Sequence, residues 1–154
     1  MRERKLQAFG VIALLAVCCG YQHPTMAAQP SDGDHRLAGH IDEGYGCYVD
    51  TTVDGVLFRM LVDTGSDDLA FNRRHLKKLG LSEKQLAYTV PIHTSNGTVR
   101  SAPIVVHELR IGAFVLHDVE AMVDYTGISV PLLGMSVIQH MHLEIGRDGC
   151  ELRW

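Results

Sequence analysis

The chain has 154 residues, of which 46% are hydrophobic and 21% are charged, and its formal net charge is −4. This length allows one domain and excludes an architecture of two full-sized lobes in a single chain. The 14 Lys and Arg residues are outnumbered by 18 Asp and Glu residues, and after the N-terminal segment and linker the largest basic clusters are the pairs Arg73-Arg74 and Lys77-Lys78. The composition therefore argues against nucleic-acid binding.

The N-terminal residues 1–28 are predicted to direct export. The chain begins with three basic residues, Arg2, Arg4 and Lys5. An apolar stretch follows at residues 8–21, and its length of about 14 residues is short of the roughly 20 that a spanning helix needs. We expect cleavage after Ala27 or Ala28 and a periplasmic or cell-envelope protein. Lipidation at Cys18, or an uncleaved anchor, is the alternative and would tether the protein to the membrane.

Residues 29–42 contain Pro, Gly and polar side chains, and they are predicted to be a flexible linker before a domain at residues 43–154. Two cysteines, Cys47 and Cys150, belong to this domain. In an exported protein they are expected to form a disulfide that closes a long loop. Two buried thiols that never meet remain the alternative.

The pattern of the domain predicts an all-β fold. Residues 46–53 alternate apolar and polar, Asp54-Gly55 provides a tight turn, and residues 56–62 return as the second strand of a hairpin. Further strands are predicted at residues 88–94, 98–106, 105–111, 114–123, 131–134, 143–145 and 150–154. A short helix capped by Asn72 is expected at residues 73–79, a second capping box at residues 82–85, and a helical turn at residues 136–140.

The most informative segment is Asp63-Thr64-Gly65-Ser66, which directly follows the second strand of this hairpin. A carboxylate at the end of an apolar strand lies against low-dielectric packing, where neighbours can tune its proton affinity. Thr64 supplies a hydroxyl, and Gly65 permits close approach of a second backbone or a ligand. The segment is therefore our candidate catalytic site.

This segment resembles the signature of the retropepsin-like aspartic proteases. Asp67 and Asp68 extend the resemblance, and Leu132-Leu133-Gly134 is similar to a second mark of the family. The resemblance implies a single-lobe β-barrel or sandwich with a flap hairpin and one or two short helices. It also implies a homodimer, because each chain supplies one Asp63 and no second Asp-Thr-Gly occurs in the sequence.

By resemblance, two Asp63 carboxyls share one proton and activate a water that hydrolyses a peptide bond, as in an aspartic endopeptidase. Thr64, Gly65 and Ser66 are the expected support residues. The Ser66 hydroxyl is expected to donate to the Asp63 carboxylate, which would favour the ionised form. That bond predicts an acidic optimum that moves upward in Ser66→Ala.

The resemblance also implies a set of residues that contact a peptide or protein substrate: Asp67, Asp68, Asn96, Gly97, Leu132, Leu133 and Gly134. Asn96-Gly97 would be the tip of a mobile flap, with an ordinary surface hairpin as the alternative. The viral relatives pair the first of the two acids with an Arg that this chain replaces by Met135 or Ser136. Asp67 is therefore equally well explained as a solvated loop acid.

No cofactor and no metal are expected. His140 and His142 would lie on the same side only of an extended segment, and no third ligand lies near them in sequence. The alternative function is a peptide-binding or dimerisation module of the same fold with little turnover. The intact Asp63-Thr64-Gly65 segment argues against that alternative, because a pure binder has no use for this carboxylate.

Overall fold

The computed structural model describes residues 35–41, 46–94, 97–124, 129–147 and 149–154. These ranges form ten strands: β1 (Arg36–Ile41), β2 (Cys47–Val53), β3 (Val56–Val62), β4 (Leu69–Asn72), β5 (Val90–Thr94), β6 (Gly97–Ile111), β7 (Phe114–Asp124), β8 (Leu132–Leu133), β9 (His142–Ile145) and β10 (Cys150–Arg153). The helical elements of these ranges are short: two 3-10 helices, Arg73–His75 and Glu83–Gln85, and α1 (Met135–Ile138). The predicted all-β class is confirmed.

The strands form one sheet in the order β5-β6-β7-β4-β8-β3-β2-β1-β10-β9, and an additional pairing between β6 and β2 folds it back on itself. The predicted Asp54-Gly55 turn joins β2 to β3, with φ values of 48° and 81°, as tight hairpins require. Asp54 also fixes the turn to β6. Its N–H donates to the Glu108 carbonyl at 2.8 Å, and its carboxylate accepts the Glu108 N–H at 2.8 Å.

The hydrophobic core lies between the two halves of this folded sheet. Alternate residues of β2 and β3 point inward, as the period of a strand demands. The largest side chains with essentially no exposure come from most of the strands and from α1: Phe71, Met60, Leu69, Leu109, Ile111, Leu133, Leu152, Val49, Val53, Val106, Val123 and Val137. None of the helices in the described ranges is long and apolar enough to cross a membrane.

The predicted linker at residues 29–42 is wrong at its C-terminal end, because residues 36–41 form β1. Inward positions Leu37, Gly39 and Ile41 alternate with exposed ones, which is the signature of a half-buried strand. The Pro and Gly residues nearby obscured this pattern. Pairing with β10 on one side and with β2 on the other stabilises the strand.

The segment after the candidate site also differs from the prediction. β4 was not expected, since its four residues are all buried and show no alternation; a short apolar run of this kind identifies no element by periodicity. The expected helix at residues 73–79 is a 3-10 turn at Arg73–His75 that continues through single turns to Gly80. Asn72 caps it as predicted. The two strands expected at residues 98–106 and 105–111 are one strand, β6.

The structure joins Cys47 of β2 and Cys150 of β10 in a disulfide, at a sequence separation of 103. β1 runs between these strands, with Ile41 opposite Cys47 and Gly39 opposite Cys150. A Cβ atom on Gly39 would lie 3.0 Å from the Cys47 Sγ and would overlap the Cys150 Sγ. The missing side chain at Gly39 thus leaves room for the disulfide to cross β1.

Reduction of this disulfide should lower the free energy of unfolding by about 3 kcal/mol, because the bond restricts a long loop in the unfolded chain. Urea unfolding with and without a thiol reductant measures the change. A double variant, Cys47→Ala with Cys150→Ala, should have the lower stability already and should not respond to reductant. Equal stability of the oxidised and reduced protein would contradict the expectation.

Candidate active site

Asp63 directly follows β3 and is held by the neighbouring strand β8. β3 and β8 run parallel, with Leu61 opposite Leu132 and Val62 opposite Leu133. The Asp63 N–H donates to the Leu133 carbonyl at 3.0 Å. Since Met60 and Leu133 are fully buried, the backbone of Asp63 is fixed by the core while its side chain remains partly exposed.

The Asp63 carboxylate is oriented by the turn that follows it. Its Oδ1 accepts the Gly65 N–H at 2.9 Å, and the Asp63 carbonyl accepts the Ser66 N–H at 3.2 Å. A Cβ on Gly65 would lie 3.2 Å from the same Oδ1, closer than an ordinary contact. The missing side chain at Gly65 therefore leaves room for the Asp63 carboxylate of the same chain, whereas the side chain of Thr64 is exposed.

The first residues of α1 hold the loop of residues 63–68 by backbone hydrogen bonds. The Met135 N–H donates to the Ser66 carbonyl at 2.8 Å, and the Ser136 N–H donates to the Asp67 carbonyl at 2.7 Å. No side chain caps α1 at Gly134, so the loop carbonyls satisfy N–H groups that a helix start leaves free. The loop and the helix start thus complete each other's hydrogen bonding.

Gly134 is required where these two backbones meet. A Cβ there would overlap the Asp68 carbonyl oxygen and would lie 2.8 Å from the Ser66 carbonyl oxygen. Gly134 and Leu133 are buried within the chain. Their assignment as substrate contacts is therefore wrong for this structure; they support the loop, and only the half-buried Leu132 of this trio keeps some exposure.

The Ser66 hydroxyl donates to the Asp68 carbonyl at 3.1 Å, not to the Asp63 carboxylate. A hydroxyl has one proton to donate, so the expected bond to Asp63 is absent from this arrangement. The sequence-based reason for an upward pH shift in Ser66→Ala is removed. Ser66 instead stabilises the loop that leads into β4.

The two acids after the motif lie in different surroundings. Asp67 is exposed, whereas Asp68 is half-buried. Burial, followed by the charges of Asp67 and Glu120, raises the pKa of the Asp68 carboxyl. Glu120 lies on β7, far away in sequence, and no local pattern could have identified it as a neighbour of the site.

The predicted flap corresponds to the hairpin of β5 and β6. Thr94 pairs with Gly97, and the Thr94 hydroxyl donates to the Gly97 carbonyl at 2.8 Å. Gly97 has a φ of 112°, which favours glycine, whereas Asn96 lies outside the described residues. No residue of β5 is fully buried, so this hairpin projects from the core.

Within the described ranges, no three His, Cys, Asp or Glu side chains come together in a metal-binding arrangement. His140 is exposed, and His142 is an exposed residue of β9. His75, which the sequence analysis did not single out, is half-buried. The Asn-x-x-His spacing at Asn72 and His75 was the available signal, since a capping box uses the residue at that position.

Replacing Gly134 by Ala should lower the free energy of unfolding by about 2 kcal/mol, because a backbone oxygen cannot move aside as a flexible side chain can. Urea unfolding measures the loss. Gly149→Ala is the matched control, since its Cβ would have its nearest neighbour at 3.9 Å and should change the stability by less than about 0.5 kcal/mol. Equal stability of the two variants would refute the close approach at Gly134.

Comparisons with known proteins agree with this geometry. The model of the gag-polyprotein putative aspartyl protease family matches residues 49–140. An uncharacterized protein in the cobV 5′ region of Sinorhizobium sp. is 35% identical over 104 residues, which are 66% of this chain and 45% of that protein. The uncharacterized protein RP867 of Rickettsia prowazekii is 32% identical over 92 residues, 60% of this chain and 39% of the relative. The chain thus spans less than half the length of these relatives.

Solved structures share the fold. A retropepsin-like aspartic protease from Rickettsia conorii superposes with a TM-score of 0.68 at 24% identity, covering 79% of this chain and 93% of its own. EIAV protease complexed with the inhibitor HBY-793 gives 0.51 at 18% identity, over 60% of this chain and 85% of its own. Together with the family match, these similarities confirm the retropepsin-like resemblance. The chain belongs to the gag-polyprotein putative aspartyl protease family.

Proposed function

We propose that the protein is an aspartic endopeptidase that acts as a homodimer, with the Asp63 carboxyls of two chains activating one water. The observation that carries the proposal is the setting of Asp63. Its backbone is fixed by Leu133, its carboxylate is oriented by the Gly65 N–H, and its side chain remains accessible. A carboxylate presented in this way suits acid–base chemistry.

A second chain is needed because one carboxyl cannot serve as acid and base in the same step. Two carboxyls about 3 Å apart share one proton, since both cannot ionise at low cost. The ionised carboxyl takes a proton from the water while the water oxygen bonds to the scissile carbonyl carbon. The protonated carboxyl gives its proton to the carbonyl oxygen. The carboxyl that took the proton from the water then gives it to the nitrogen as the C–N bond breaks, and the other carboxylate takes a proton back from a hydroxyl of the intermediate.

The hairpin of β5 and β6 fits a substrate bound as an extended strand. β5 is an edge of the sheet in the described part of the chain, and edge strands accept a peptide through main-chain hydrogen bonds. Such binding makes few demands on the peptide sequence. Specificity would then come from the side-chain surroundings of the cleft, among them the acids Asp67 and Asp68.

We also propose export to the cell envelope through residues 1–28. The disulfide between Cys47 and Cys150 supports this proposal, because such bonds persist in oxidising compartments and are rare in the cytosol. Lipidation at Cys18 would add a membrane tether, which raises the local concentration of chains and favours their association.

Asp63→Asn should abolish peptide hydrolysis, lowering kcat/KM at least about 100-fold, because an amide can neither share nor accept the proton. A peptide library incubated at acidic to neutral pH and analysed by mass spectrometry measures cleavage. The control is Asp118→Asn, the same chemical change at an exposed residue of β7, which should leave cleavage intact. A parent protein that binds peptides without cleaving them would favour the alternative of a peptide-binding module.

The proposed homodimer needs a contact surface between its two chains that is separate from the hairpin of β5 and β6. The sheet of the described residues has two edges, β5 and β9. β9 carries Ile145, which is 61% exposed, and an edge strand offers unpaired N–H and C=O groups to a second chain. We therefore assign the contact between the two copies to β9.

Ile145→Lys should weaken the dimer at least about tenfold, because it places a charge in an apolar contact. Sedimentation velocity over a concentration series measures the association. Leu57→Lys is the matched control: Leu57 is 60% exposed, yet it lies on β3, which is not an edge. Equal dimerisation of both variants would reject β9 as the contact, whereas a monomer that cleaves peptides would reject the shared-proton mechanism.

A further inference from the structure

His75 closes the turn after β4 with a hydrogen bond that depends on its protonation state. Its Nδ1 lies 3.1 Å from the backbone nitrogen of Asn72. Because a backbone N–H can only donate, Nδ1 must be the unprotonated acceptor. The Asn72 side chain completes the capping box by accepting the His75 N–H, and it also accepts the Arg74 N–H at 3.0 Å. Glu or Gln normally has the role of His75 in this motif.

The other ring nitrogen connects the turn to a different part of the chain. Burial lowers the pKa of His75, and a hydrogen bond with the backbone of Ser129 opposes part of this lowering, so the ring is the donor in that bond. Since Nδ1 is already an acceptor, Nε2 carries the proton and the Ser129 carbonyl receives it. The neutral ring thus links the end of β4 to the segment that leads into β8.

The surroundings of the ring favour this neutral form. Phe58 of β3 and Phe71 of β4 contact it edge to face, with centroids at 6.3 and 6.4 Å. Burial, with smaller contributions from the charges of Arg74 and Lys78, lowers the pKa of His75 despite the Ser129 bond. Asp124 of β7, which pairs with Asn72 in register, is not among the groups that shift it.

The segment held by His75 supports the candidate active site. Two residues beyond Ser129, the Pro131 carbonyl accepts the Leu61 N–H at 2.9 Å, and the Leu133 carbonyl accepts the Asp63 N–H at 3.0 Å. On the other side, Asn72 ends the strand that follows the loop of residues 63–68. The ring therefore joins the two segments that fix this loop.

We propose that His75 is a proton-sensitive positioning residue, whose neutral ring ties the Asn72 turn to the Ser129 backbone and whose protonation releases this tie. A protonated Nδ1 is a donor and can no longer accept the Asn72 N–H, so the capping bond would be lost. For catalysis, we expect activity to fall at low pH because His75 is protonated, and not because Asp63 is. This consequence rests on the proposed function. The hydrogen bonds of the His75 ring do not depend on the proposed function.

The direction of the pH effect follows from the lowered pKa. The unfolded chain takes up a proton on this imidazole near pH 6.5, before the folded protein does. The contribution of His75 to stability is therefore complete above about pH 6.5 and is lost as the pH falls below that value. It stops changing once the folded ring is protonated as well.

His75→Gln tests the proposal, because Gln is the usual capping-box residue and does not titrate in this range. We would measure urea unfolding midpoints between about pH 7 and pH 5 in an Asp63→Asn background, which removes any dependence on peptidase activity. The midpoint of the parent should fall on acidification, and His75→Gln should remove at least about half of that fall. His117→Gln, at an exposed histidine of β7, should leave it unchanged.

Two further measurements remove ambiguity if the variant folds poorly. NMR titration of the His75 ring in the parent should give a midpoint below about 6.5, and a midpoint at or above that value would overturn the proposal. So would a His75→Gln protein that is as acid-sensitive as the parent. In a peptidase assay of the active chain, His75→Gln should extend activity to lower pH. Absence of any cleavage would count against the proposed function alone.

Discussion

The contact between the backbone of residues 66–68 and the start of α1 is the constraint on which the rest of the site depends. Two carbonyl groups of the loop accept the first N–H groups of the helix, and the Asp68 carbonyl lies where any side chain at Gly134 would be. Backbone groups buried at such a junction need partners. The loop can therefore present Asp63 in one orientation only while α1 and β8 keep their places.

A single chain presents half of the chemistry that this arrangement suggests. The Asp63 carboxylate accepts a hydrogen bond from Gly65, and the exposed side chain of Thr64 has space for a partner. In the proposed dimer, the two edges of the described sheet would divide the remaining tasks, since β5 belongs to the projecting hairpin and β9 lies at the opposite end of the strand order. Substrate binding and association of two copies thus need not compete for one edge.

Two titratable groups near the loop of residues 63–68, Asp68 and His75, have pKa values shifted in opposite directions. On one side, burial, followed by the like charges of Asp67 and Glu120, raises the pKa of Asp68. On the other, the burial of His75, with smaller contributions from the charges of Arg74 and Lys78, lowers its pKa. Both effects disfavour additional charge close to the segment that carries Asp63. A neutral link can hold a catalytic loop without adding a permanent charge to its field.

Local sequence patterns determined several turns, strands and caps of this protein. The Asp54-Gly55 turn, the strands that flank it, the Asn72 cap and the position of Asp63 after β3 are all properties of consecutive residues, and the sequence therefore predicted them. β1 and β4 were missed because pairing with distant strands stabilises them more than their own composition does. The tertiary structure alone decided that Glu120 adjoins Asp68, that Ser66 donates to Asp68, that Leu133 is buried and that His75 reaches Ser129. Each of these contacts joins groups whose distance and orientation depend on how the whole sheet closes, and no local pattern of residues contains that information.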